Sequence, residues 1–318
     1  MSTLDPWMST RVAAAAGDPQ QRRGPLVLVM KERRALTYVD ATLAYHSDEG
    51  FAESFIYTDN EAPPGLPTFS GRPDPREVRV WNGWLNADRL SLDEEGFAVA
   101  SLPTSFTNWF EHDTVVRDYY PECLAAACTA TGASRGVIFD HNVRSGSKSR
   151  EGFWSQTVAQ PVRGVHNDYT DRSARTQADG ILGATPADRY AFVNLWRPIL
   201  EPLRDSPLAV CDGRTLQQND ASLTELRYAE RSGWIHRFRY NPRHRWTYFP
   251  EMLRDEVLFL KCWDSARDGR TRFSAHSAFD DPTTPADAPP RESIEARALL
   301  VWDEPVEPRL ENSDPDAT

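Results

Sequence analysis

The segment VRGVHNDYT places His166 and Asp168 two residues apart, a spacing that could supply half of a metal site. Residues two apart on an extended strand project to the same face, so the imidazole and the carboxylate can converge while Asn167 faces away. Neutral imidazole and carboxylate are donors that suit non-haem Fe(II), and a second histidine would complete a facial triad with open positions. Because a lone His-x-Asp pair could also be a surface turn, the metal interpretation needs a third ligand.

The chain has seven histidines, and their surroundings rank them as third ligands. His276, in FSAHSAF, ends a strand-like stretch among small and aromatic residues, and it is the preferred candidate. His141, at the end of GVIFDHNV, is an alternative, and His276 could instead be a buried structural histidine. The remaining four lie in charged or Arg-rich segments and are expected at the surface: His46, His112, His236 and His244.

A second set of chemical groups lies in PPRESIEARALLVW, downstream of His276. On a strand, Arg291, Ser293, Glu295 and Arg297 share one face. A guanidinium binds a carboxylate through two hydrogen bonds, and a hydroxyl two residues away adds a donor. Together with the triad, this pattern predicts 2-oxoglutarate, with its keto acid end at iron and its far carboxylate at Arg291 and Ser293. Arg297 is the competing anchor, and a solvated face with cross-strand ion pairs is the non-functional alternative.

Further polar residues near these motifs are candidates for a substrate pocket. Asn194 and Arg197 lie in FVNLWRPI, and Arg144 and Tyr169 lie near the proposed iron. A buried Arg197 would need an anion, either an acid such as Asp212 or a carboxylate of the substrate. These four residues are therefore predicted pocket residues, and the two arginines favour a carboxylated or amino-acid-like substrate.

The elements that must position these residues are mostly strands. EHDTVVRDYYPECLAAACTATGA predicts one or two helices, broken near Pro121 and closed by Gly132, and SARTQADGILGA predicts one more. Short β-branched and aromatic stretches separated by turns predict strands in the rest of the chain. The predicted class is mainly β with flanking helices (α+β), built as a sandwich or barrel. In the N-terminal half, EVRVWNGW predicts a strand and LSLDEEGFAVASL predicts a turn followed by a strand. The other predicted strands are GVIFDHNV, RGVHNDYT, YAFVNLWRPI, PLAVCD, HRWTYFP, EVLFLKCWD, TRFSAHSAF and SIEARALLVW.

The domain prediction follows from these patterns. Residues 1–24 are expected to be a flexible segment, residues 25–302 a single domain, and residues 303–318 an acidic tail. Within the domain, residues 25–134 form a mixed, partly helical region and residues from about 135 to 302 form the β core.

Composition excludes several classes of protein. The net charge of -11 disfavours nucleic acid as a partner. There is no apolar segment of membrane-spanning length and no signal peptide pattern, so neither a membrane nor secretion is expected. Four cysteines without CxxC spacing argue against a cysteine-based zinc site and favour a cytoplasmic protein. The oligomeric state is not indicated.

The segments GVHNDYT, FVNLWRPI, SPLAVCD, DEVLFLKCWDS, FSAHSAF and PRESIEARAL, in this order, resemble the AsaB-like or CmcJ-like hydroxylase/desaturase family of specialised metabolism. The resemblance extends from about residue 80 to 302. It implies a double-stranded β-helix (jelly-roll, cupin-like) core and an Fe(II)/2-oxoglutarate-dependent dioxygenase that uses O2. By the same resemblance, His166, Asp168 and His276 bind iron, and Arg291 with Ser293 anchors the cosubstrate.

The expected reaction is hydroxylation, desaturation or oxidative cyclisation of a small specialised metabolite, with amino-acid derivatives as candidates. Two other functions are compatible with the residues. A metal-dependent hydrolase or lyase on a cupin-like barrel could use the same triad for zinc. A non-catalytic binding protein would not need the triad at all.

Overall fold

The structure is a computed structural model. It describes residues 36–52, 54–58, 62–146, 158–183 and 188–303. The predicted flexible segment 1–24 lies outside the described residues, and so does nearly all of the predicted acidic tail.

Strands dominate the described residues, which confirms the mainly β prediction. They are β1 (Tyr38–His46), β2 (Ser54–Tyr57), β3 (Pro73–Asn82), β4 (Phe97–Ser101), β5 (Arg135–Ser145), β6 (Val158–Ala159), β7 (His166–Asn167), β8 (Arg189–Pro198), β9 (Leu208–Cys211), β10 (Ala221–Arg227), β11 (Ser232–Phe238), β12 (Trp246–Tyr248), β13 (Glu256–Asp264), β14 (His276–Ala278) and β15 (Glu292–Trp302). The larger sheet has the order β1-β3-β12-β9-β14-β7-β11-β10-β2, and the smaller has the order β4-β13-β8-β15-β5-β6.

Helices accompany the strands. They are α1 (His112–Thr114), α2 (Tyr120–Thr131) and α3 (Asp171–Leu182), with a π-helical segment at Val115–Tyr119 and 3-10 turns at Gly83–Arg89, Gly213–Thr215 and Gln218–Asp220. The helical backbone is continuous near Pro121, but it changes from π to α at Tyr120, so the proline lies in the first turn of α2, where its missing N–H is tolerated. Gly132 ends α2 with a φ of 71°, as predicted.

Apolar side chains fill both faces of the smaller sheet. On β8, Phe192 and Trp196 belong to the cluster between the two sheets, whereas Val193 and Leu195 pack on the side of α2. Strand β8 is buried along almost its whole length, so its sequence lacks the alternation of a half-exposed strand. Of the predicted flanking helices, α2 therefore packs on the outer face of the smaller sheet.

Among the described residues, the N-terminal half contributes four strands, of which β3 and β4 were predicted and β1 and β2 were not. β1 pairs with β3 in the larger sheet, and β4 pairs with β13 in the smaller sheet. The boundary expected near residue 134 therefore does not separate a partly helical region from the β core.

Helix α3 fixes the turn that follows β7. Thr170 caps the helix by accepting a hydrogen bond from the backbone N–H of Ser173, and the two residues form a capping box. The Ser173 hydroxyl also donates to the carbonyl of Trp234 in β11 (2.7 Å). Trp263 Nε1 donates to Asp171 Oδ1 (2.6 Å), which ties the first turn of α3 to β13. The chain is thus held on both sides immediately after Asp168.

Several histidines expected at the surface are buried. His46 is 1% exposed, and its Nε2 lies 3.0 Å from the hydroxyl of Ser54. The ring of His244 is enclosed, with Nε2 3.2 Å from Asp220 Oδ2. Their charged surroundings in sequence are therefore a poor guide to exposure.

His141, the alternative third ligand, faces α2. Its Nδ1 is hydrogen-bonded to the hydroxyl of Tyr120 (2.9 Å), and its ring stacks on His112 at 5.1 Å. Burial lowers the pKa of His141 to about 4, and the neighbouring His112 adds to the lowering.

This shift predicts a pH-dependent loss of stability. The unfolded chain takes up a proton at His141 below its ordinary pKa of 6.5, whereas the folded chain does so only near 4, so stability falls as the pH drops through this window. Urea unfolding at pH 7 and pH 5 should show that His141→Gln reduces this loss by on the order of 1–2 kcal/mol. Equal losses in both proteins would contradict the assignment.

Candidate metal and cosubstrate site

Three side chains converge where β7 and β14 are paired. His166 and His276 are directly opposite each other on these antiparallel strands, and their ring centroids are 4.4 Å apart. Oδ1 of Asp168 lies 3.7 Å from Nε2 of His166 and 3.9 Å from Nε2 of His276. The three potential ligand atoms lie within 4.8 Å of one another. The predicted triad is thus brought together, with His276 in the third position.

Both imidazoles are held in the form that binds metals. Nδ1 of His166 donates to the carbonyl of Gly164 (2.7 Å), so Nε2 of the neutral ring carries the free lone pair. Burial lowers the pKa of His166 to about 4, with a further contribution from His276. Burial also lowers the pKa of His276. Neither ring is therefore protonated near neutral pH.

The two oxygens of Asp168 have different surroundings. Oδ1 faces the two histidines, whereas Oδ2 accepts hydrogen bonds from Asn194 Nδ2 (2.8 Å) and Arg297 Nη2 (3.4 Å). Burial alone would raise the pKa of Asp168, but Arg297 and the two histidines hold it below its usual range. The carboxylate is therefore ionised.

Arg297 is surrounded by acceptors. It donates to Glu295 (3.2 Å) and Asp140 (2.9 Å) in addition to Asp168. Asn142, with its amide oxygen turned toward the guanidinium, accepts from Nη1 (2.8 Å) and Nη2 (2.9 Å). Burial acts against the charged form, yet the three carboxylates raise the pKa of Arg297 well above its usual value.

Arg291 is also buried, but its hydrogen-bond partners are neutral. It is 4% exposed, and its guanidinium donates to Ser293 Oγ and to the carbonyl of Ser206, both at 2.9 Å. The group lies 5.0 Å from the ring of Trp196. Among the described residues no carboxylate forms an ion pair with this guanidinium, although Asp205 accepts from its backbone N–H. Burial and the neighbouring Arg144 lower the pKa of Arg291 to about 9.

A cavity of about 40 Å³ adjoins the triad. Arg144, Arg291, Glu295 and Arg297 line it together with the apolar side chains of Val162, Trp196 and Leu208. Arg144 donates to the carbonyl of Gln160 (3.3 Å), and no ion pair to it occurs among the described residues. Burial lowers the pKa of Arg144. As the side chains stand, the space suits only a few water molecules, so a larger ligand requires the long arginine side chains to rearrange.

Two predicted pocket residues lie elsewhere. Arg197 is 0% exposed on the opposite face of β8, where it donates to the carbonyls of Leu102 (3.1 Å) and Arg254 (3.2 Å). Its acidic partner is Glu122 at 3.4 Å, rather than Asp212 or a substrate. The strand alternation that turns Asn194 inward turns Arg197 outward, so its prediction as a pocket residue is corrected.

Tyr169 lies close to the triad but packs into the core. Its ring stacks on Phe192 at a centroid distance of 4.3 Å, and burial raises its pKa. It is not among the residues that line the cavity. Asn194, by contrast, is turned toward the site but binds Asp168.

Known proteins share this architecture and sequence. The hydroxylase/desaturase efuI of Hormonema carpetanum is 33% identical over 246 residues, which are 69% of this chain and 81% of the relative. The alpha-ketoglutarate-dependent dioxygenase phiK of a fungal species is 30% identical over 287 residues, covering 80% of this chain and 98% of the relative. The solved structure of the iron and alpha-ketoglutarate-dependent endoperoxidase NvfI matches with a TM-score of 0.74 at 27% identity, covering 84% of this chain and 99% of that chain. A family model described as an oxidoreductase/YMDC permease-like domain matches residues 38–301.

The chain belongs to this family of Fe(II)/2-oxoglutarate-dependent hydroxylases and desaturases. The predicted resemblance and the jelly-roll core are confirmed, as are Fe(II), 2-oxoglutarate and O2. Within the described ranges, no helix combines the length and apolar character needed to cross a lipid bilayer.

The donor set of this oxygenase fits the metal that its family uses. Two neutral imidazoles and one ionised carboxylate are the donors of a facial triad for Fe(II), which leaves positions open. When bound, iron with 2-oxoglutarate and oxygen supplies the oxidising power for attack on a C–H bond. The chain itself supplies two neutral imidazoles, an ionised carboxylate and the buried arginines that line the cavity.

Sequence reasoning missed the residues that support Arg297 in this oxygenase. Asp140, Asn142 and Arg144 alternate along β5 and lie opposite Arg297, Glu295 and Ser293 of β15. Polar residues at every second position were visible in FDHNVR, but His141 and Arg144 were singled out there and Asp140 and Asn142 were not. The alternation was the signal that could have found them.

We predict that Asp168→Asn weakens metal binding strongly, because it removes the only carboxylate of the triad. The loss should exceed the roughly 10–100-fold typical for partners that merely orient a ligand. Anaerobic titration of the apoprotein with Co(II) measures it. The matched control is Asp140→Asn, which takes a carboxylate from the same guanidinium but not from the triad. Similar Co(II) affinities of the two variants would rule out Asp168 as a ligand.

Proposed function

We propose that His166, Asp168 and His276 hold Fe(II), and that Arg291 and Ser293 bind the far carboxylate of 2-oxoglutarate. The observation that carries the proposal is the buried guanidinium of Arg291, which has neutral hydrogen-bond partners and adjoins the triad. Burying an uncompensated charge is costly, so such a group favours an anionic ligand. The dicarboxylate cosubstrate of this family is an anion of that kind.

The charge balance favours Arg291 over Arg297 as the anchor. Three carboxylates within 3.4 Å already compensate the charge of Arg297. A further carboxylate there would meet like charges from Asp168 and Glu295. At Arg291 it would instead meet a guanidinium and the hydroxyl of Ser293, both of which donate hydrogen bonds.

We further propose a small specialised metabolite with a carboxylate as the substrate. Arg144 is the cation that lines the cavity in addition to Arg291 and Arg297, and among the described residues its hydrogen-bond acceptor is the carbonyl of Gln160. Val162, Trp196 and Leu208 provide an apolar wall that can shield the reacting C–H bond from water. Hydroxylation, desaturation or oxidative cyclisation are the proposed outcomes, and endoperoxide formation, the activity of the solved relative NvfI, is a fourth oxidative outcome.

The remaining expectations from the sequence stay proposals. They are a single oxygenase domain over residues 25–302, a cytoplasmic location and the absence of nucleic acid and membrane partners. The net charge of -11 supports the exclusion of nucleic acid.

Arg291→Gln should weaken 2-oxoglutarate binding about 10–100-fold, since a hydrogen bond to a charged group contributes about 1.5–3 kcal/mol. Ser293→Ala should weaken it less, up to about tenfold. Anaerobic titration at saturating Fe(II), followed by the visible charge-transfer absorption of the iron–keto acid complex, gives the dissociation constants. Unchanged 2-oxoglutarate affinity in Arg291→Gln would disprove the anchor.

Arg144→Gln should reduce the preference of the enzyme for acidic substrates roughly tenfold, whereas Arg144→Lys should keep most of it. Substrate-stimulated succinate release from a panel of small carboxylic acids and their methyl esters measures this preference. Equal stimulation by acids and esters in the wild type would refute the carboxylate assignment. A weaker affinity of Arg144→Gln for 2-oxoglutarate itself would instead assign this arginine to the cosubstrate.

A further inference from the structure

We propose that Asn194 and Arg297 are positioning residues that hold Asp168 so that it presents a single oxygen to the metal. The proposal rests on the assignment of Asp168 as a ligand in the proposed function, but it does not depend on which arginine binds the cosubstrate. It gives both residues a role different from the one that their sequence context suggested.

The contacts divide the carboxylate into a metal-facing and a protein-facing oxygen. Oδ1 is the atom near Nε2 of His166 and His276, at 3.7 and 3.9 Å. Oδ2 receives the hydrogen bonds of Asn194 and Arg297. Rotation of the carboxylate would break both of these hydrogen bonds, so its plane is fixed from the protein side.

Within the described parts of the chain, the side chain of Asn194 makes one hydrogen bond, and that bond is to Asp168. The residue is 0% exposed on β8, and its Oδ1 is buried without a hydrogen-bond partner. A buried amide oxygen left unsatisfied is unfavourable. Turning the amide over would satisfy nothing, because the oxygen would then face Oδ2 of Asp168. The orientation is therefore set by the carboxylate.

Strand pairing sets the position of Arg297, and ion pairs with carboxylates fix the orientation of its guanidinium. In β15 it lies opposite Asp140 of β5 on one side and Asn194 of β8 on the other. Its bonds to Asp140 and Glu295 hold the guanidinium on both sides of the contact with Asp168. A group with this many fixed partners can restrain its neighbour without moving itself.

The consequence concerns the open positions at the metal. A carboxylate that binds through both oxygens would occupy one more position, and a facial triad must leave room for a keto acid and oxygen. Partners that orient a metal ligand typically change metal affinity about 10–100-fold when they are removed. Asn194 and Arg297 would thus control both the affinity for the metal and the number of positions left for chemistry.

The test compares two arginines on the same strand. Apoprotein variants Arg297→Gln and Arg291→Gln are titrated anaerobically with Co(II), and 2-oxoglutarate is then titrated at saturating metal. We expect Arg297→Gln to weaken Co(II) binding about 10–100-fold and to alter the visible d–d spectrum, with little change in 2-oxoglutarate affinity. Arg291→Gln should weaken 2-oxoglutarate binding and leave the Co(II) affinity and spectrum nearly unchanged. Arg297→Lys should recover part of the metal affinity, because it keeps the charge.

Asn194→Ala provides the second arm, with Asn194→Ser as the milder variant if the alanine protein does not fold. Both should weaken Co(II) binding and change its spectrum. The control is Arg197→Lys, three residues along β8 on the opposite face, which should lower thermal stability while leaving Co(II) affinity and spectrum unchanged.

The outcomes separate this proposal from the proposed function. Wild-type Co(II) affinity and spectrum in both Arg297→Gln and Asn194→Ala would overturn the positioning role. Weaker 2-oxoglutarate binding with unchanged metal affinity in Arg297→Gln would also overturn it and make Arg297 the anchor. If Arg291→Gln has no effect while Arg297→Gln and Asn194→Ala lose metal affinity, the anchor assignment fails and the positioning role is supported.

Discussion

The burial of an ionised carboxylate beside two neutral imidazoles is the interaction on which the site depends. Arg297 and Asn194 stabilise the charge of Asp168 from the protein side, through hydrogen bonds to Oδ2. Without them, burial would favour the protonated acid, which is a poor metal ligand. The same burial keeps His166 and His276 neutral. Burial thus favours the neutral form of all three groups, which raises the pKa of the acid and lowers the pKa of the rings. The rings bind metal in that neutral form, whereas the acid must be charged and therefore needs a nearby cation.

Strand pairing delivers these groups from distant parts of the chain. The two histidines are 110 positions apart in sequence, yet they are direct cross-strand neighbours. On the other sheet, β15 lies between β5 and β8, so Arg297 has Asp140 on one side and Asn194 on the other. A shift of one residue in this register would turn Arg297 to the face of α2. The chemistry thus depends on the register of two sheets rather than on any local motif.

Site residues that lie two positions apart on one strand, and so share a face, could be predicted from the sequence. His166 with Asp168, and Arg291 with Ser293, are such pairs. The structure brings His166, Asp168 and Arg291 to the cavity, and Ser293 accepts a hydrogen bond from Arg291. Partners that are brought together by the pairing of strands distant in sequence could not be found in this way. Asn194 and Arg197 were both expected in the substrate pocket, whereas Asn194 binds Asp168 and Arg197 pairs with Glu122 on the other face of β8. In the N-terminal half β3 and β4 were predicted, whereas the edge strand β1 was missed, because it is defined by the strand that it joins.

The three arginines of the cavity differ in how their charges are balanced, and this difference indicates a division of roles. Glu295 lies between Arg291 and Arg297 on one face of β15, and it pairs with Arg297. Arg297 therefore has little charge left to attract a ligand, whereas Arg291 and Arg144 retain theirs in a buried setting that lowers the pKa of both. Retaining two such groups reduces stability, and proteins tolerate this where a ligand supplies the missing charge. An anion that enters the cavity would thus find its counter-charges at Arg291 and Arg144, while the carboxylate of Asp168 stays bound to Arg297.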